Sequence, residues 1–250
     1  VPDAPDPVNG PPATGLPGSA LPPSSASAIE LSRTVAVAVG DRAETRAGDH
    51  ALLTGLVARL TGVAAASVGL TQRCPHCGAG DHGPLRVRIA GSPAVVPRVS
   101  LARAGGRLAL AVTAAGPVGI DVESLADLAR APLDAVALSP AEAATLAPLR
   151  PAATAEALAN IWTTKEAVLK AAGLGLRVDP RELTVTLATA GPTDGRSPRT
   201  ASRTVSWPQA PFPDHDVQLW PVAAPHGTVA TVAVVCALRP ALLLVAPPVR

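Results

Sequence analysis

At 250 residues the chain is long enough for one large domain or two small ones, with a substantial buried core. Aromatic residues make up only 2% of it and Tyr and Met are absent, so that core has to be built from Ala, Val and Leu. A net charge of +2 without any basic cluster argues against a nucleic-acid binder, and the longest apolar run, Thr228 to Leu238, is too short to cross a bilayer.

Residues 1–28 hold eight prolines among Gly, Ser and Ala without a period of 2 or 3.6, and are expected to be a disordered or extended tail. Thr34 to Val39 reads as a strand ended by Gly40-Asp41. Leu52, Leu53, Leu56, Val57 and Leu60 then repeat at helical spacing before Gly62, predicting a first long helix from about Thr45 to Leu60. Arg42, Arg46, His50 and Arg59 lie on or near it and read by default as solvated surface.

Cys74-Pro75-His76-Cys77, with His82 five residues on, has metal-knuckle spacing. Structural zinc sites usually pair two knuckles, and the third cysteine, Cys236, lies in a distant strand. A zinc site and a loop of free thiols and imidazoles both stay open. Three cysteines exclude a disulfide framework, and without a charged n-region and apolar h-region the chain is expected to be cytoplasmic.

Short strands are expected over Pro84–Ala90, Ala94–Leu101 and Leu108–Ala114. The next, Val118-Gly119-Ile120-Asp121-Val122-Glu123, puts its apolar residues on one face and Asp121 and Glu123 on the other, their Cα atoms about 6.5 Å apart. Such a pair is either a strand end meeting water or half of a Mg²⁺ site, since hard cations take carboxylate oxygens. Ser124-Leu125-Ala126-Asp127 opens a helix that Pro132 ends, and Ser139-Pro140-Ala141-Glu142 has the residues of a capping box.

Ala155 to Ala172 reads as one helix closed by Gly173, and it carries the only lysines of the chain, Lys165 and Lys170. Where nearly every other cation is Arg, this points to a need for a compact ammonium. Trp162, Glu166 and Lys170 share one face at i, i+4, i+8, beside an apolar stripe of Leu158, Ile161, Leu169 and Ala172. A surface helix with a Glu166–Lys170 pair is the plain alternative. Beyond it Leu183–Leu187, Val217–Val222 and Thr228–Leu238 read as strands, Thr189–Pro213 as a long loop, Trp207 and Trp220 as packing residues, and 239–250 as a loosely held tail.

Gly119-Ile120-Asp121-Val122-Glu123, followed some forty residues on by Trp162-Thr163-Thr164-Lys165-Glu166-Ala167-Val168-Leu169-Lys170 and Gly173-Leu174-Gly175-Leu176, resembles the paired signature of the 4′-phosphopantetheinyl transferases. The longer, monomeric, Sfp-like type is the closer likeness, over about residues 41–238. The resemblance implies an α+β fold of two pseudo-symmetric halves, each a small, mainly antiparallel sheet on a long helix. The divisions would be 1–28 tail, 29–117 and 118–238 halves, and 239–250 tail.

It further implies an enzyme of the holo-acyl-carrier-protein synthase type. Such an enzyme moves the 4′-phosphopantetheine arm of coenzyme A onto a serine of an acyl or peptidyl carrier protein, using Mg²⁺ or Mn²⁺ and releasing 3′,5′-ADP. Carried over by position, Asp121, Glu123 and Glu166 are the metal ligands and Glu166 the base. Lys165 and Lys170 meet coenzyme A phosphates, and Asp121, Glu166 and Lys165 make up the catalytic set.

The chain departs from the family pattern at three places. Arg103, in Val99-Ser100-Leu101-Ala102-Arg103, stands near the family's phosphate-binding His, with Arg46 as a further candidate for the cofactor. After His82-Gly83 the usual Lys is missing, leaving Arg86 or Arg88 to substitute, and position 54 is Thr where Arg is usual. These departures motivate the rival expectation of a coenzyme A-binding protein of this fold without turnover. A second rival is a metal-binding interaction module centred on Cys74 and Cys77.

Overall fold

The computed structural model describes residues 31–91, 96–131, 133–188 and 202–248. The tail expected at 1–28, the stop at Pro132 and most of the long loop after Leu187 lie outside them. The fold is α+β. In chain order it contains β1 (Thr34–Asp41), α1 (Arg46–Thr61), β2 (Val68–Gln72), β3 (Leu85–Ile89), β4 (Arg98–Ala104), β5 (Arg107–Thr113) and β6 (Val118–Ser124). Three short helices follow, α2 (Leu125–Leu128), α3 (Asp134–Ala137) and α4 (Pro140–Leu146), then the long α5 (Pro151–Ala172). The remaining strands are β7 (Thr184–Leu187), β8 (Arg203–Ser206), β9 (Val217–Val222), β10 (Thr228–Val235) and β11 (Ala241–Leu244).

The strands form a six-stranded sheet in the order β11-β1-β5-β4-β3-β2, a three-stranded sheet β6-β10-β9 and a β7-β8 pair. Among the described residues all pairings are antiparallel except β1 with β11. Side-chain alternation then builds layers. Leu53, Leu56 and Val57 of α1 pack with Leu110 and Val112 on one face of the large sheet. Val35, Val37, Ala109 and Ala111 on its other face pack with Ile120, Val122, Val232 and Val234 of the small sheet. Ala167, Val168 and Leu169 of α5 close the far side with Leu183 and Ala233. With both faces covered, a core poor in aromatics suffices, because small aliphatic residues fill the narrow space between layers.

Helix boundaries follow their local chemistry. Thr45 caps α1 by accepting from Gly48 N at 3.1 Å. The capping box of α4 is present, with Ser139 and Glu142 bonding each other's backbone N–H. α5 starts at Pro151 rather than near Ala155, because proline fits the first helical position, where no intrahelical N–H is needed. Gly173 ends it in the left-handed conformation, φ 71°.

Three strands depart from the expectation. β2 was not legible, and β8 falls inside the stretch read as loop. Within the stretch read as a loose tail, 239–250, lies a strand: β11 pairs in parallel with β1, from Thr34 with Ala241 to Val37 with Leu244. Edge pairing is made by backbone groups and needs little from the side chains, so it leaves a weak pattern. β8 is held by Arg203, a buried arginine whose guanidinium donates to Thr231 (2.6 Å), Thr164 (3.2 Å) and Asn160 (3.0 Å). Burial lowers its pKa to about 10. Among the described residues no helix is long and apolar enough to cross a membrane.

Candidate active site

β6 lies directly against α5. Val118, Ile120 and Val122 face the large sheet, so Gly119, Asp121 and Glu123 face the helix. A Cβ at Gly119 would sit 1.9 Å from the carbonyl oxygen of Ala167, so only glycine permits this contact. The close approach carries Asp121 and Glu123 onto the Trp162–Glu166–Lys170 face. Lys170 Nζ is 2.6 Å from Asp121 Oδ1 and 3.7 Å from Glu166 Oε2, and Trp162 Nε1 donates to Glu123 Oε1 at 3.1 Å. Asp121 and Glu166 thus both reach the Lys170 ammonium while Glu123 is held by Trp162, and the three carboxylates do not all bring an oxygen within 4.8 Å of one another.

The strand does not end in water: Asp121 is 4% exposed. Burial pushes its carboxyl up to about 7, against the pull of Lys170. Burial also raises Glu123, although the Trp162 hydrogen bond and Lys170 oppose it. Burial alone would lower the Lys170 ammonium, but Asp121 and Glu166 outweigh it and leave it raised. One cation for three acids leaves negative charge uncompensated, and Asp121 Oδ2 is buried without a hydrogen-bond partner. Hard oxygen donors and an unsatisfied buried oxygen suit a hard divalent ion, and the three carboxylates would have to draw closer together to share one.

Lys165 is not part of this cluster, which corrects its assignment to phosphate binding and catalysis. Its side chain is fully buried, donating to Ala137 O and to Glu142 Oε2, each at 2.6 Å. One residue along a helix turns the side chain by about 100°, so Lys165 points to the short helices while Glu166 points to the strand acids. Glu142 also accepts from the backbone N–H of Ser139 (2.7 Å) and Val185 (2.6 Å), tying α4, α5 and β7 together. Reading Glu142 as a cap captured only one of these roles.

A cleft of about 530 Å³ opens beside Lys170, between the large sheet and the C-terminal end of α5. Arg46, His50, Arg103, Lys170 and Arg177 line it, with apolar wall from Leu85, Val99, Leu101 and Leu174. Asp49, wholly buried and accepting from Ala43 N at 2.7 Å, ion-pairs with Arg103 Nε and so aims the guanidinium. Arg46 bonds the Gln72 side chain. Desolvation and the charges of Arg103 and Arg46 lower the pKa of His50, which makes it a neutral hydrogen-bonding group at neutral pH.

Arg46 and Arg103, both anticipated, therefore stand with Lys170, whereas His50 was read as surface and Arg177 was not singled out. Arg86 and Arg88 are exposed on β3 and absent from the cleft wall, so neither replaces the missing lysine there. Thr54 donates to its own helix at His50 O, 2.9 Å away. Clustered cations over an apolar wall, beside a carboxylate site for a hard ion, suit a ligand combining phosphates with a less polar body.

Residues 117–219 match the model of the 4′-phosphopantetheinyl transferase superfamily, a span that includes β6 and α5. No curated protein matches the chain.

Proposed function

We propose that the chain, whose residues 117–219 match the 4′-phosphopantetheinyl transferase superfamily, transfers the 4′-phosphopantetheine arm of coenzyme A to a serine of an apo acyl or peptidyl carrier protein. The observation that carries this reading is the meeting of Asp121 and Glu166 at Lys170, a residue that also lines the cleft walled by Arg46, Arg103 and Arg177, with Glu123 held close by through Trp162. In this reading the chain divides near residue 117, with α1 and β1–β5 in one half and α5 and the smaller sheets in the other, and β11 returns from the C-terminal side to the edge of the large sheet.

Asp121, Glu123 and Glu166 would hold Mg²⁺ or Mn²⁺, which when bound offsets charge on the coenzyme A diphosphate. Arg46, Arg103 and Lys170 bind and orient the phosphates, with Asp49 fixing the angle of Arg103. The carrier serine oxygen forms a bond to the phosphorus of the pantetheine phosphate as the bond from that phosphorus to the bridging oxygen breaks. 3′,5′-ADP leaves with that oxygen, and the serine proton passes to Glu166. Lys165 has no part in this step; it holds the helix that carries Glu166.

The test incubates the protein with coenzyme A, Mg²⁺ and an apo carrier domain and weighs the carrier by mass spectrometry. A gain of one phosphopantetheine arm with release of 3′,5′-ADP is expected. Tight coenzyme A binding with no gain on carriers of fatty acid, polyketide and peptide assembly would instead establish the binding-only reading.

A further inference from the structure

Outside the carboxylate cluster, the loop joining β2 to β3 (residues 73–84) assembles a second set of metal-ligating side chains. Sγ of Cys74, Sγ of Cys77 and a ring nitrogen of His82 all lie within 4.8 Å of one another, and among the described residues no other three such groups do. We propose that this loop binds one zinc ion through Cys74, Cys77 and His82, with water at the fourth tetrahedral position on the side of the cleft.

The backbone is already wound for this. Gly78 N donates to Cys74 O at 3.0 Å and Cys74 N to Ala79 O at 2.8 Å, folding Cys74–Cys77 into a tight knuckle with both thiols on one side. Backbone N–H groups of Cys77 and His76 point at the Cys74 sulfur, as they do at a metal-bound thiolate. Gly83 brings the far arm in: a Cβ there would lie 2.7 Å from Cys74 Cα, and its φ of 94° is one that L residues rarely adopt. His82 is thereby seated beside the thiols, its Nε2 3.3 Å from Cys77 Sγ.

The imidazole is oriented as well. His82 Nδ1 pairs with Asp81 Oδ1 at 2.7 Å, which turns Nε2 toward the sulfurs. A carboxylate behind a ligating histidine fixes tautomer and ring angle in this way. Two soft thiolates with one imidazole select zinc over the hard ions suited to Asp121, Glu123 and Glu166. The same loop supplies Cys74, His76, Cys77 and His82 to the wall of the cleft. A bound zinc would clip that wall in place, which a chain of exposed turns with few apolar contacts does not do by itself.

The experiment is metal analysis of the full-length protein purified without chelator, followed by exchange with Co²⁺. One zinc per chain and an intense thiolate-to-cobalt absorption band in the near ultraviolet are expected. Both should be lost in Cys74→Ser/Cys77→Ser and retained in Asp121→Asn, and zinc occupancy should fall at least tenfold in His82→Ala. Circular dichroism of each variant establishes that it is folded. If the double variant does not fold, blocking of Cys74 and Cys77 by iodoacetamide in the native protein, with and without zinc, gives the same answer. Substoichiometric metal after growth in zinc, zinc retained without the two cysteines, or a protein mass short of two hydrogens from a Cys74–Cys77 disulfide would overturn the proposal. None of these readouts depends on transfer to a carrier, so a failed zinc site and a failed transferase reading remain distinguishable.

Discussion

Lys165 Nζ lies 2.6 Å from Glu142 Oε2 inside the protein, with both side chains sealed from solvent. A sealed ion pair is weak evidence of net stabilisation, but losing one partner is costly because the other charge is left buried. Lys165→Met should therefore lower folding stability by about 3–5 kcal/mol. Whatever fraction stays folded should keep its KM for coenzyme A. Urea titration with transfer kinetics checks this, and an undisturbed melt with a raised KM would return Lys165 to the cleft.

Lys170 is the ammonium that the cleft does reach. Lys170→Ala removes a charge-assisted contact to phosphate, and a loss of that kind corresponds to a rise of roughly ten- to a hundredfold in the KM for coenzyme A. It also removes the counter-charge that holds Asp121 down, so the pH profile of turnover should move to higher pH. Steady-state kinetics across pH tests both, and an unchanged KM would put Lys170 outside the binding site.

The raised carboxyl of Asp121 makes stability depend on pH in a definite direction. The folded protein binds this proton more tightly than the unfolded chain, so the contribution is present at acid pH. It is lost as pH rises from the ordinary carboxylate range through about 7. Without divalent ion, the wild type should lose stability over that window, and Asp121→Asn should lose less. Added Mg²⁺ competes with the proton and should stabilise the wild type more at pH 8 than at pH 6. Melting curves with and without Mg²⁺ report this; a Mg²⁺ effect independent of pH would remove Asp121 from the ligand set.

Gly119→Ala should separate β6 from α5. Its methyl group would meet the Ala167 carbonyl oxygen, a backbone atom that cannot step aside. Overpacking of this kind costs on the order of 1–3 kcal/mol, and here it also displaces two strand carboxylates from the helix carboxylate. Mg²⁺ affinity should fall together with melting temperature. Calorimetric Mg²⁺ binding by the folded variant distinguishes this from a purely structural loss, and unaltered affinity would contradict it.

His50 should report an arriving anion. Its pKa is lowered by desolvation and by Arg103 and Arg46, and phosphate groups would offset those two arginines. Coenzyme A binding near pH 6.5 should then take up a proton, and tighten as pH falls. Calorimetry in buffers of different ionisation enthalpy measures the proton count, which should drop in His50→Gln.

The sequence by itself determined the periodic and local features of this protein. Val118 to Glu123 alternates, so the sides of the strand were legible, and Trp162, Glu166 and Lys170 had to share a helical face. Caps at Ser139 and Gly173 were equally readable, since a cap depends only on residues within a turn or two. Tertiary structure alone decided what those faces meet. No local pattern in Lys165 distinguishes a phosphate ligand from the partner of Glu142, because the choice depends on where α4 docks 23 residues away in sequence. Likewise the burial of Asp121, the aim of Arg103 from Asp49 and the place of β11 beside β1 are long-range events. Their energies arise from desolvation and pairing between segments distant in the chain, and those terms are absent until the layers close.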